Sequence, residues 1–93
     1  MRTTIERLEN QVRLLNNMLG LPETPYTKAD GRYVPNIGNL HISQAHGGVE
    51  LHQMYNDSGG VSNISQNGHV SKPELDTFLQ GMIAALRLTN ETP

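Results

Sequence analysis

The chain has 93 residues and a formal net charge of −2, seven Lys and Arg against nine Asp and Glu, with no Cys and no Trp. The scatter of these charges excludes the basic stripe that duplex nucleic acid requires, and the lack of Cys excludes disulfides and thiolate metal sites. With 35% hydrophobic residues and 4% aromatic ones, a single small domain has little apolar bulk for a core, and self-association is a common compensation.

In chain order, Thr3 and Glu6 stand in capping-box spacing. Ile5, Leu8, Val12, Leu15 and Leu19 then recur at steps of three and four, with Leu14 and Met18 widening the stripe. Gly20 suits the position just past a helix, and Pro22 forbids its continuation. The pattern predicts a helix over about residues 4–19. Its apolar face packs either on its own domain alone or also on a symmetry mate. Leu21 to Pro35 contains three of the five prolines and the Asp30-Gly31 turn signal. There Lys28-Ala29 and Arg32-Tyr33-Val34 are either short edge strands or part of an arm over another subunit.

Asn39 to Gln44 alternates, with Leu40 and Ile42 on one face and His41 and Ser43 on the other. Val49 to Tyr55 alternates again, with Val49, Leu51, Gln53 and Tyr55 opposite Glu50, His52 and Met54. The link Ala45-His46-Gly47-Gly48 has hairpin length, which predicts an antiparallel pair. Asp57 to Gly60 reads as a second turn, Val61 to Ile64 as a third short strand, and Gln66-Asn67-Gly68 as another turn. Ser71 and Glu74 form a capping box with Pro73 in the first turn; Leu75, Phe78, Leu79, Met82, Ile83 and Leu86 make one broad apolar face. A helix over about residues 72–88 follows, with a frayed tail from Thr89. The expected fold is one α+β domain over residues 1–93. It has an N-terminal helix, three to four short antiparallel strands within about residues 28–65, a C-terminal helix and a tendency to form oligomers.

The chemistry is that of binding. No nucleophile elbow or H-E-x-x-H motif is present. A zinc site from His41, His52 and a carboxylate is weighed against exposed strand histidines, and the latter is preferred. No catalytic residue, metal or cofactor is expected, and the chain is expected not to be an enzyme. The turns at His46-Gly47-Gly48 and Ser58-Gly59-Gly60 expose backbone N–H groups that an anion could use. Neither carries the closing Lys-Ser/Thr of a Walker loop, and a tight turn needs the same glycines. Base recognition needs a flat ring and an amide edge. Tyr26, Tyr33 and Tyr55 supply rings, and Asn36, Asn39, Asn56, Asn63 and Asn67 supply amides, although local Asx bonds account for such asparagines equally well. Arg32 and Arg87 are the cations suited to phosphates, with helix C-terminal complementarity the alternative for Arg87.

The order of TPYTKADGRYVPNIGNLHIS, AHGGVELHQMYNDSGGVSNIS, the KPEL helix opening and GMIAAL resembles that of small phage-encoded Thoeris anti-defence proteins of the first type, over most of the chain. The resemblance implies a sponge that sequesters a cyclic ADP-ribose isomer made by bacterial TIR-domain immunity proteins, without cleaving it. It implies a homo-oligomer with pockets at subunit contacts, an aromatic ring and an Asn near the adenine, and cyclic trinucleotides held through arginines in larger assemblies. On this chain it implies Tyr55 as the ring, Asn63 as the amide, Arg87 as a phosphate contact, and Asn39, Gly47 and Gly48 as backbone walls. The absence of a signal-like or membrane-length apolar run gives the expectation of a cytoplasmic protein, here in the infected bacterial host, with no membrane partner. A small phage inhibitor of a host protein and a virion assembly factor are the alternatives.

Overall fold

The computed structural model describes residues 3–65 and 68–91, so Gln66 and Asn67 of the expected 66–68 turn lie outside the described residues. Helix α1 spans Ile5–Leu19. Its N-cap is Thr4, whose Oγ1 accepts the Arg7 N–H at 3.2 Å, one residue later than the Thr3–Glu6 spacing suggests. Left-handed Gly20 closes it, and the Leu21 N–H donates to the Asn16 carbonyl at 2.8 Å before Pro22. Helix α2 spans Lys72–Glu91. The Ser71 hydroxyl accepts the Glu74 N–H at 3.3 Å and donates to the Glu74 carboxylate at 2.9 Å. The helix runs beyond residue 88 because no helix breaker lies between Leu86 and Glu91; Thr89 Oγ1 donates back to the Ala85 carbonyl at 3.0 Å.

Five strands lie between the helices, rather than the three to four expected: β1 Tyr26–Ala29, β2 Arg32–Pro35, β3 Leu40–Ala45, β4 Gly48–Met54 and β5 Val61–Asn63. They form two antiparallel sheets, β1-β2 and β3-β4-β5. The count rises because Asp30-Gly31 closes a complete hairpin of its own. Asp30 and Gly31 have φ of 50° and 76°, and His46 and Gly47 have 53° and 74°. Both central residues of each turn are thus left-handed, as a two-residue type I′ loop demands. Gly48 belongs to β4, not to the turn: a Cβ there would lie 2.8 Å from the Val70 carbonyl oxygen. The β1-β2 hairpin makes no extensive contact with another element and is exposed almost throughout. Its base is tied by Asn36, whose Nδ2 donates to the Thr24 carbonyl at 2.9 Å and to Thr27 Oγ1 at 2.8 Å.

The helices cover one face of the larger sheet. Leu40, Val49 and Leu51 share that face by strand alternation, and they are buried against Leu8, Val12 and Leu15 of α1 and Leu75, Leu79 and Ile83 of α2. Part of the α1 stripe is left out: Leu14 and Leu19 are 38% and 42% exposed. Between the helices, Asp76 accepts hydrogen bonds from Arg7 Nε at 3.0 Å, Gln11 Nε2 at 2.8 Å and Gln80 Nε2 at 2.8 Å. Burial pulls the Asp76 carboxyl upward, but the hydrogen bonds from Arg7 and Gln11, the Arg7 charge and the Gln80 bond outweigh it and hold it below the usual carboxylate range. No helix among the described residues is long and apolar enough to cross a membrane.

The residue that joins α1 to the sheet is Asn16, 1% exposed. Its Nδ2 donates to the Leu40 carbonyl and its Oδ1 accepts the Leu40 N–H, both at 2.9 Å. One carboxamide thereby stands in for a neighbouring strand on the free edge of β3. Asn16→Ala leaves two backbone groups unpaired in a buried place, at about 1–3 kcal/mol each, in a domain whose total stability is roughly 5–15 kcal/mol. Urea unfolding of this variant is expected to show a loss of about 2–5 kcal/mol; a loss below about 1 kcal/mol would refute the role given to Asn16.

Candidate functional site

Strand alternation turns His41 and Ser43 of β3, Glu50 and His52 of β4, and Asn63 of β5 away from the helices. The register aligns them in ranks: His41 faces His52, His52 faces Asn63, and Ser43 faces Glu50. His69 arrives from the loop before α2, held by the Val49–Val70 bridge, in which each residue donates to the other at 2.8 and 2.9 Å. His46 comes from the β3–β4 turn. All four histidines of the chain therefore join one cluster. Ring centroids lie 5.9 Å apart for His41–His52, 6.4 Å for His52–His69 and 5.8 Å for His46–His69, each pair edge to face.

The Glu50 side chain, 8% exposed, sits at the centre. Its Oε1 accepts a hydrogen bond from His52 Nε2, and its Oε2 lies 3.7 Å from His69 Nδ1. On the far side of that ring, His69 Nε2 is 3.2 Å from Ser43 Oγ. His41 Nδ1 lies 3.1 Å from Asn39 Oδ1. The expectation of exposed strand histidines does not hold for His52: its side chain is only 17% exposed, because it packs with loop residue His69, 19% exposed, around a carboxylate that burial obliges to be paired. Among the described residues no group of three or more His, Cys, Asp or Glu is arranged to hold a metal ion. The cluster is a hydrogen-bonded network around one negative charge. Burial, and then the like charge of His52, push the His41 imidazole below its ordinary value of 6.5, against the hydrogen bond at Asn39.

The residues expected to bind ligand are spread over several places. Gly47 and Gly48 border a groove of about 360 Å³ with Gln44, Ala45, Val49 and Lys72, and His46 stands beside His69. Asn63 belongs to the histidine rank, and its Oδ1 accepts the Ser65 hydroxyl at 3.2 Å. Tyr55 does not continue the β4 face as alternation suggests, because the strand ends at Met54. Its N–H donates to the Gly60 carbonyl at 2.9 Å, and its side chain is 63% exposed. The following turn is clamped by Asn56, whose Oδ1 accepts the N–H groups of Ser58 and Gly60, both at 2.9 Å. A Cβ on Gly60 would sit 2.7 Å from Asn56 Nδ2, so the clamp requires glycine there. Arg32 lines a separate groove of about 420 Å³ with Tyr33 and Asp57. Asn39 is fully buried, its Nδ2 donating to the Pro22 carbonyl at 2.8 Å. Arg87 is on the exposed side of α2. The structure brings together His46, Gly47 and Gly48, adds Asn63 and, through its contact with His41, Asn39 to the histidine face, and keeps Arg32, Arg87 and Tyr55 apart from that cluster. Sequence reasoning missed Ser43, Glu50, His69 and Lys72.

Stability is expected to depend on His41. Its proton affinity is lower folded than unfolded, so the unfolded chain takes up the proton first. The contribution of neutral His41 is present above about pH 6.5 and is lost as pH falls below it. Melting temperature measured from about pH 8 to about pH 5 should fall for the native chain and fall less for His41→Asn; parallel curves would contradict this assignment.

No protein-family profile, curated protein or solved structure matches the chain.

Proposed function

We propose that this chain is a homo-oligomeric binder that sequesters a small cyclic nucleotide of the cyclic ADP-ribose class without cleaving it, in the cytoplasm of a phage-infected bacterium. The observation that carries this reading is Tyr55. Its side chain is 63% exposed on a turn rigidified by Asn56, next to the β4–β5 ribbon that carries Asn63. A ring held in water on an ordered support presents a flat face on which a base can stack. Polar donors for the rest of such a ligand stand on the histidine face and at the Gly47-Gly48 groove, where Lys72 offers a cation. Self-association is supported by Leu14, Leu19 and Leu88, exposed at 38%, 42% and 68%, and by the hairpin, which is marginal as an isolated two-stranded unit.

One observation favours a second reading, a protein–protein inhibitor. Tyr33, Val34 and Ile37 are 71%, 45% and 58% exposed along and just beyond the hairpin, a surface suited to a protein partner.

Calorimetry with cyclic ADP-ribose isomers and with cyclic di- and trinucleotides is expected to give stoichiometric heat, and the ligand should be recovered chemically intact after heat denaturation. Tyr55→Ala should weaken capture by about 10- to 100-fold, the value of one stacked base, while shifting the melting temperature by less than about 4 °C. Absence of heat with every such ligand would remove the sponge reading. Unchanged affinity in the variant would remove Tyr55 from the site.

A further inference from the structure

We infer that Ser43, His69 and Glu50 form a relay that makes Ser43 a nucleophile toward activated acyl groups. Ser43 and Glu50 are cross-strand partners in the β3–β4 ladder, so their side chains stand on one face with a fixed spacing. The imidazole of His69 lies between them. Its Nε2 is 3.2 Å from Ser43 Oγ and its Nδ1 is 3.7 Å from Glu50 Oε2. A carboxylate facing Nδ1 keeps the imidazole proton there, which leaves the Nε2 lone pair to accept the serine hydroxyl. That is the division of labour of a nucleophile, a base and a base-orienting acid, recognised by geometry rather than by chain order. The separation at the carboxylate exceeds a formed hydrogen bond, as is common in unliganded sites. Burial of the Glu50 side chain to 8% exposure limits solvent screening of its charge at His69.

The support around the relay is rigid where it needs to be. The backbone that presents His69 is anchored next to it, because Val70 is hydrogen-bonded to Val49 in both directions. His46 and His52 stack edge-on against the same ring. Ser43 is itself paired in the ladder, so its backbone is not presented as an oxyanion hole. The relay therefore suits esters with good leaving groups, whose acylation needs less stabilisation of the intermediate.

With p-nitrophenyl acetate, Ser43 Oγ bonds to the carbonyl carbon, the hydroxyl proton moves to His69 Nε2, and the C–O bond to p-nitrophenol breaks. The phenol leaves with that proton. Water then attacks the acetyl-Ser43 ester with His69 again as base, releasing acetate and restoring the serine. No redox partner or further reactant is required. A cyclic nucleotide has no acyl carbon, so this activity stands or falls independently of ligand capture.

The test is p-nitrophenyl acetate on the 93-residue chain at about pH 8, above the ordinary histidine range, with peptide mapping of the acetylated residue. Acetylation of Ser43 is expected, together with a loss of about 100-fold or more in its rate in His69→Asn, the usual contribution of a general base. Glu50→Gln should slow it as well; should that variant fail to fold, the pH dependence of the native rate serves instead, and it should be lost in His69→Asn. Acetylation confined to Lys28, Lys72 or the N-terminus would overturn the proposal, as would Ser43 labelling at equal rates in the native chain and in folded His69→Asn.

Discussion

The polar half of this protein is organised by one buried negative charge. Glu50 is 6% exposed, and a carboxylate so placed is tolerated only with partners around it. His52 supplies the first, two residues along the same strand. His69 supplies the second from seventeen residues further on than His52 (69 against 52). To deliver it, the chain must cross β5, return along the edge of β4 and lock with the Val49–Val70 bridge before α2 begins. The start of α2 and the contour of the sheet edge are thus set by the same requirement. The outer edge of β4 is satisfied piecewise: by Val70 at Val49, by the Ser65 hydroxyl and the Ile64 N–H at Leu51, and by β5 beyond. That mixture of partners leaves few orphan groups in a sheet too short to have a full third strand.

The helical half answers to a different constraint. Little apolar mass is available, so the core is narrow and each residue in it counts. Leu8, Leu15, Leu51, Leu75 and Leu79 are wholly buried, and they fill a single layer between the helices and the sheet. Two polar devices supplement it. The Asn16 carboxamide pairs with the β3 edge, and the Asp76 carboxylate gathers donors from α1 and α2. Each fixes a relative position that a few leucines alone would leave loose, since apolar contact is not directional.

Much of the scaffold was legible because its signals are local. The three-and-four spacing gave α1, the Ser71–Glu74 box gave the start of α2, and alternation gave the faces of β3 and β4 correctly as far as Gln53. Asp30-Gly31 announced its hairpin for the reason the structure shows, two left-handed residues in succession. Asn16 was illegible, because a stripe of apolar residues gives no reason for a carboxamide at its border to be buried. Tyr55 was misassigned to the β4 face, since alternation carries no signal for where a strand stops. The histidine cluster was half visible. The hairpin register places His41 opposite His52 once the His46-Gly47 turn is known. His69 and its contacts with Glu50 and Ser43 depend on a loop path that no short-range pattern encodes. Lys72 reaches the Gly47-Gly48 groove by the same path.

The ranks on the open side of the sheet are therefore a preorganised polar surface, and Tyr55 is a ring left in water at its margin. Preorganisation is the physical property a tight binder and a reactive serine both need, because groups already held in place lose little freedom when a ligand arrives. Its most direct test is the tautomeric state of the imidazoles, read by long-range proton–nitrogen NMR at about pH 8, where histidines are ordinarily neutral. If Glu50 organises the cluster, His52 will carry its proton on Nε2 and His69 on Nδ1, each as one fixed tautomer. Rings that average between both tautomers, as free imidazole does, would contradict the account.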